Sequence, residues 1–416
     1  MSKGIVIIGA GPTGVTTVET LRSQGYEGPI TMLTREPFPP YSPPLMADYL
    51  ESHGGSDLIF WRGRDFCDRF DVNCRTSAEV GSVEPKRNRI TLTSGEQIEY
   101  ENLVIASGGE MSIPLRCECD AETKKERFYN FKSLTAVTKL LAEVEKGASK
   151  AVVIGAGFIG MEIAITLRGM GLSVIVVEML DRILPRMLTK EIARPLEEIV
   201  RGMGIELLLE HKGEFLRGGE TAEELHLTNG KVIKGDLFIA ATGVRPNISF
   251  LQGSEIPTRR GVVVNRYLQA GYENVFAGGD ATEVPDLITG TVYPHAIYPV
   301  AVEHGKIIGL NILGRRVECD GSVNANSLYH FKLPIITEGA AIADGKADEE
   351  LVFERGRVLR KIGLKDGRIL RFELIGDKKG AGLLHTLMLQ KRDVSRIKYD
   401  LVTGRYNQAK HFMSYL

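Results

Sequence analysis

The stretch Ala151–Glu178 reads AVVIGAGFIGMEIAITLRGMGLSVIVVE. Its first four residues, Ala151–Ile154, form the apolar run of a buried parallel strand. Gly155, Gly157 and Gly160 follow in G-x-G-x-x-G spacing, then a helical pattern, then a second apolar run at Val174–Val177. This is the strand–turn–helix–strand fingerprint of a dinucleotide site. The first glycine permits the tight turn, the second lets backbone approach a pyrophosphate, and the third lets helix and strand pack closely. The helix N-terminus then offers free N–H groups and a positive dipole end to the phosphates. Glu178 stands where an acid would hold a ribose 2′-OH. The same charge would repel a 2′-phosphate, so the stretch is expected to prefer NADH over NADPH.

A second copy opens the chain. Gly4–Ile8 is an apolar strand, Gly9, Gly11 and Gly14 repeat the glycine spacing, Pro12–Gln24 is helical, and Pro29–Leu33 returns to strand. One such motif is weak; two, each with its full context, are much stronger. Glu36 is the expected ribose contact here. Each fingerprint leads to short strands that alternate like a β-meander. In the first half these are Val72–Val83, Arg89–Leu92 and Ile98–Tyr100; in the second, an Asn229-Gly230 hairpin signal joins them. Each half then has an apolar strand with a small-residue exit, LVIASGG at Leu103–Gly109 and LFIAATG at Leu237–Gly243. Ser107, Gly108 and Gly243 would let those strand ends approach a cofactor.

Between these parts, PFPPYSPP at Pro37–Pro44 predicts a rigid, extended loop that forbids a helix. Leu115–Asn130 reads as a linker and Ser133–Lys146 as a helix. Beyond Gly321 the pattern changes to strands at Ile335–Thr337, Glu350–Phe353, Arg357–Leu364 and Ile369–Ile375, then helices at Ala381–Lys391 and Val394–Leu401. The expected class is α/β, with two Rossmann-like folds and a C-terminal α+β domain.

The 416 residues carry a net charge of −1, which leaves no electrostatic footprint for nucleic acid. The apolar runs are strand-length, too short to span a membrane. Met1–Lys3 leads straight into a strand, with no room for a signal peptide, and a cytoplasmic location is expected. Five cysteines, an odd count without a framework, suggest reduced thiols. Cys117 and Cys119 form the one close pair, read as free surface thiols, and no metal site is expected.

Five motifs in order, GAGPTG at Gly9, ASGG at Ala106, GAGFIGMEIA at Gly155, ATGVRPN at Ala241 and FAGGDA at Phe276, resemble the pyridine nucleotide–disulfide oxidoreductases. Within that family the chain is similar to the rubredoxin reductase, nitrite reductase flavin-domain and NADH oxidase branches. The resemblance implies FAD on the first fingerprint, held by Gly9, Gly11, Pro12 and Gly14, with the backbone of Val80 at the adenine. Asp280 would take the ribityl chain, with Gly279 allowing close approach. His295 lies where family members approach the flavin. NADH would sit on Gly155, Gly157, Gly160 and Glu178, with Phe158 and Ile159 near the nicotinamide and Glu162 near flavin N5. It implies an FAD domain at 1–112 and 244–320, an NAD domain at 113–243, and a C-terminal domain at 321–416.

By the same resemblance, hydride passes from NADH to the flavin, and electrons go on to rubredoxin, ferredoxin or an iron–sulfur subunit. O2 is an alternative acceptor, and a flavin-holding regulatory protein with slow turnover is another reading. Relatives occur as monomers and homodimers. Thiol-using members carry a redox cysteine in the proline loop. The matching position here is Pro44, so a chain lacking the redox cysteine is expected. Where ferredoxin and rubredoxin reductase relatives place a basic residue and then a Lys or His that pairs with the glutamate, Pro43 and Asp48 stand. The partner of Glu162 is thus unassigned from sequence.

Overall fold

A computed structural model of the chain describes residues 3–113, 115–118, 128–218, 223–329, 331–339 and 346–406. Two parallel sheets share one design. In the first, Gly4–Ile8 pairs in parallel with Ile30–Leu33 on one side and Gln97–Ile105 on the other. Ile5, Val6, Ile7 and Ile8 are all buried, which explains their continuous apolar run: such a strand is covered on both faces. In the second sheet, Lys150–Ile154 lies between Ser173–Val177 and Leu237–Ala240, also in parallel. The inserted helices Pro12–Ser23 and Phe158–Gly169 begin directly after the glycine turns.

A two-stranded ribbon joins the folds. Gly109–Met111 leaves the first and pairs antiparallel with Val244–Pro246, which returns from the second. The returning chain adds Val275–Ala277 to the first sheet, beside Leu103–Ile105. Helix Tyr298–Ile312 then packs on Pro12–Ser23. That contact is close because of Gly305, where a Cβ would stand 2.6 Å from the Thr13 carbonyl oxygen.

The C-terminal part is a five-stranded antiparallel sheet in the order Ala325–Leu328, Ile335–Gly339, Arg368–Ile375, Val358–Lys365, Glu349–Arg355. Helix Ala381–Leu389 covers one face with Leu384, Leu387 and Met388. Leu328, Phe331, Ile335, Leu359 and Ile375 join the apolar core of the second dinucleotide fold. Polar contacts reinforce this seat. Thr189 N–H donates to Glu373 Oε2 at 3.1 Å, and Lys361 Nζ reaches Glu191 at 3.0 Å and Glu350 at 2.8 Å.

The structure corrects several local expectations. The proline segment does not stay extended. Pro43–Leu45 forms a 3-10 turn that runs into helix Met46–Glu51. Proline is well suited to a first helical turn, where its missing N–H has no partner to lose. Within 72–83, Asn73–Arg75 is not part of the antiparallel meander; it pairs in parallel with Ile30–Leu33 at the sheet edge. The 115–130 segment contributes strands at Arg116–Glu118 and Phe128–Tyr129, each pairing with the second fold. Cys119 and the side chain of Cys117 lie outside the described residues.

The cysteine reading is overturned. Cys67 and Cys74 form a disulfide, with Cα atoms 5.9 Å apart. The chain therefore carries a redox-capable cysteine pair. Helix Phe66–Arg69 ends, Asp71 takes a left-handed turn, and the edge strand brings Cys74 back beside Cys67. A seven-residue separation matches no short redox or metal motif, so spacing alone did not expose it. Closing so short a loop should contribute about 2 kcal/mol through the unfolded chain. The double variant Cys67→Ser/Cys74→Ser should therefore lower Tm by about 2 °C in calorimetry, and dithiothreitol should lower the parent's Tm similarly but not the variant's. Equal Tm values for parent and variant would contradict the bond.

Candidate functional site

The two glycine turns are built alike to atomic detail. Gly9 and Gly155 have φ near +112° and +106°. A Cβ on Gly9 would sit 2.1 Å from the Ala106 carbonyl oxygen, and one on Gly155 2.4 Å from that of Ala241. The small-residue strand exits are thus the walls that the first glycines pass. Gly14 and Gly160 let each helix close on its own turn, since a Cβ would lie 2.3 Å from Gly9 O and 2.0 Å from Gly155 O. Gly11 and Gly157 differ: a Cβ on either would meet nothing within 4 Å among the described residues. Both are helix N-caps without a side-chain cap, so their helices present open N–H groups to empty space. Such a cradle suits a pyrophosphate.

A cavity of about 770 Å³ begins at the first cradle. Gly9, Gly11, Pro12, Glu36, Val80, Ser107, Gly108 and Asp280 line it from the first fold. Phe158, Ile159 and Glu162 line it from the first turns of the second fold's helix. Pro43, Pro44, Tyr298 and Tyr329 complete it. Its size suits a large heterocyclic ligand. Gly14, Gly160 and Gly279 stand behind the wall as packing positions, while Gly155, Gly157, Glu178 and Gly243 belong to the second cradle and do not line this cavity.

Glu36 is engaged with protein. Tyr41 Oη donates to its Oε2 at 2.5 Å, and the Thr135 N–H and hydroxyl donate to Oε1 at 2.9 and 2.8 Å. The carboxylate thereby ties the proline segment to the start of helix Leu134–Glu145. Its charge and burial push the Tyr41 phenol well above its ordinary range, burial being the larger cause. Glu178 is buried at 6 % exposure; its Oε2 accepts from Ala156 N–H at 2.7 Å and its Oε1 from Leu180 N–H at 2.9 Å.

Lys132 was missed in the sequence. Its Nζ forms an ion pair with Asp280 Oδ2 at 2.6 Å and lines the cavity. It falls between the predicted linker and helix, just before the N-cap Ser133, whose Oγ accepts from Ala136 N–H. A cation at that seam, facing an acid 148 residues away, leaves no periodic signal. Tyr298, also missed, starts helix Tyr298–Ile312 at the cavity wall, and burial raises its phenol.

His295 does not line the cavity. It is buried against Tyr293, rings stacked at 4.2 Å, and neither ring nitrogen has a partner among the described residues. Burial lowers its pKa, so it packs as neutral imidazole. The residue that supports the Asp280 turn is His304, whose Nδ1 accepts from Gly279 N–H at 3.1 Å.

Glu162 is the most perturbed acid of the cavity. Its carboxyl is pushed up to about 7, first by burial and second by the charge of Asp48. Helix Met46–Glu51, which carries Asp48, packs against helix Phe158–Gly169. Asp48, which stands where relatives place the pairing Lys or His, thus adds negative charge that acts on Glu162.

The residues present fit two dinucleotides. The cradles at Gly11 and Gly157 are open where phosphates would come, cations line the first cavity, and Glu178 is fixed at the second. Bound there, FAD would supply two-electron uptake from NADH. The protein's own part is to orient, to exclude water and to set charge around the ring.

Comparison with known proteins agrees with this geometry. The family model described as pyridine nucleotide-disulphide oxidoreductase matches residues 3–295. The chain is 27% identical over 413 residues to the NADH-dependent phenylglyoxylate dehydrogenase subunit epsilon of Aromatoleum evansii, covering 98% of this chain and 97% of the relative. It is 32% identical over 318 residues to an NADH oxidase of Methanocaldococcus jannaschii, covering 74% and 70%. The solved NADH:rubredoxin oxidoreductase of Clostridium acetobutylicum shares the fold with a TM-score of 0.80 at 23% identity, covering 98% of this chain and all of that one. Matched over most of its length, with both nucleotide cradles intact, the chain belongs to the pyridine nucleotide–disulphide oxidoreductase family and is an FAD- and NAD(H)-dependent oxidoreductase.

Proposed function

We propose that this protein passes electrons between NADH and a small electron-transfer protein or iron–sulfur subunit through FAD. The observation that carries the reading is the single cavity in which Asp280 and the first cradle meet Phe158, Ile159 and Glu162 of the second fold. Gly9, Gly11 and Pro12 would hold the FAD phosphates, with Val80 at the adenine and Asp280, paired with Lys132, at the ribityl chain. Gly157 and Glu178 would hold NADH, and Phe158 and Ile159 would place its nicotinamide. A relative matched along nearly its whole length is a subunit of a larger dehydrogenase, which favours a protein partner over a free small molecule. The domain limits 1–112 with 244–320, 113–243 and 321–416 remain our division of the chain.

Oxygen is the second reading, favoured by the 32% identity to an NADH oxidase. Holoprotein mixed with NADH and a panel of rubredoxins, ferredoxins and iron–sulfur subunits separates the two. The proposal expects carrier reduction that outpaces oxygen consumption. Rapid flavin bleaching with no carrier turnover would overturn it, and slow bleaching by NADH would point instead to a regulatory flavoprotein.

Glu162 adds a pH signature. Because its carboxyl titrates near pH 7, it is neutral below that value and charged above it. A carboxylate beside the nicotinamide favours the positive ring of the oxidised form, so flavin reduction by NADH should accelerate as pH rises through about 7. In stopped-flow, Glu162→Gln should flatten this profile, and Asp48→Lys should move its midpoint to lower pH by placing a cation opposite the acid. A profile unchanged by either substitution would remove Glu162 from the reaction.

A further inference from the structure

The loop that follows Glu178 is built around a second acid. Its ends are pinned: Leu184 N–H donates to Ala156 O of the glycine turn at 2.8 Å, and Glu210 N–H donates to Leu180 O at 2.9 Å. Inside it, Asp181 takes two cations. Arg182 Nη1 donates to its Oδ1 at 2.6 Å and Lys190 Nζ to its Oδ2 at 2.9 Å. The remaining groups of Arg182 turn inward as well, Nε to Leu188 O at 2.9 Å and Nη2 to Pro185 O at 3.1 Å. Its side chain is only 19% exposed.

This arrangement matters for nucleotide choice. A 2′-phosphate is usually accepted by an arginine close to the position of the ribose acid. Arg182, four residues beyond Glu178, is the arginine of that loop nearest the acid. It is neutralised and folded away. Arg186 stands farther along, beside Met187 at the flavin cavity. Lys212 is exposed on the neighbouring strand exit, after His211, whose Nδ1 lies 2.6 Å from Leu209 O. Glu178 repels a phosphate directly; Asp181 occupies the cations that could attract one.

We propose that Asp181 is a second determinant of NADH selectivity, a positioning residue that holds Arg182 and Lys190 away from the ribose 2′ position. The proposal rests on the second cradle binding NADH. The test compares the holoprotein with Asp181→Asn, Glu178→Ala and the double variant, measuring NADH and NADPH affinity by fluorescence titration. Kinetic ratios with both nucleotides accompany it. Asp181→Asn alone should leave NADH affinity within about twofold, because Glu178 still holds the ribose. The double variant should bind NADPH about tenfold more tightly than Glu178→Ala, the size of one charge-assisted hydrogen bond. That gain should shrink as salt rises. Asp181→Glu in the Glu178→Ala background, which keeps the charge that engages both cations, should leave NADPH affinity at the Glu178→Ala level. A double variant no better with NADPH than Glu178→Ala, at unchanged Tm, overturns the role of Asp181. Failure of the parent to bind NADH would instead overturn the reading of the second cradle.

Discussion

The structure depends on one steric constraint used twice. A strand, a glycine turn and a helix must close so tightly that the end of a neighbouring strand fills the space of a side chain. At Gly9 and Gly155 an added Cβ would lie within 2.4 Å of a carbonyl oxygen. At Gly14 and Gly160 it would strike the turn itself. Because the walls, Ala106 and Ala241, are the exits of LVIASG and LFIAAT, the motifs are parts of one contact rather than separate signals. That contact aims each helix N-terminus outward and leaves Gly11 and Gly157 facing open space.

The rest of the molecule brings the two cradles to one cavity. The ribbon of Gly109–Met111 and Val244–Pro246 carries the chain out and back. Glu36 and Tyr41 bind the proline segment to helix Leu134–Glu145. The C-terminal sheet closes the far side through Tyr329, and its seat on the second fold is held at Thr189 by Glu373. Burial pushes that carboxyl up to about 7. The loop from Glu178 to Thr189 thus begins at the second glycine turn, passes Met187 at the cavity wall, and ends on the C-terminal sheet.

The architecture was legible because glycine spacing and apolar runs are local. Ala151–Glu178 alone predicted strand, turn, helix and strand in their observed order. The limits of that legibility are physical. Lys132 meets Asp280 only after the sheet has assembled, and the burial that perturbs Glu162 exists only once two helices pack. Pro37–Pro44 was misread because proline was weighed as a helix breaker when it was also a helix starter. Cys67 and Cys74 were misread because a left-handed turn at Asp71, which sequence does not announce, folds the segment back. Glu36, the expected ribose contact, does line the cavity, but its further bonds to Tyr41 and Thr135 were not legible, because those partners come from segments 5 and 99 residues away.

With FAD on the first cradle and NADH on the second, flavin content and NADH response should separate in single variants. Gly11→Val and Gly157→Val each put a side chain into open space, so neither strains the backbone contact that builds the fold. The account predicts that Gly11→Val is isolated without flavin absorbance. It predicts that Gly157→Val keeps one FAD per chain but is no longer bleached by NADH at concentrations that bleach the parent. A Gly157→Val protein that loses its flavin, or a Gly11→Val protein that keeps it, would contradict the assignment.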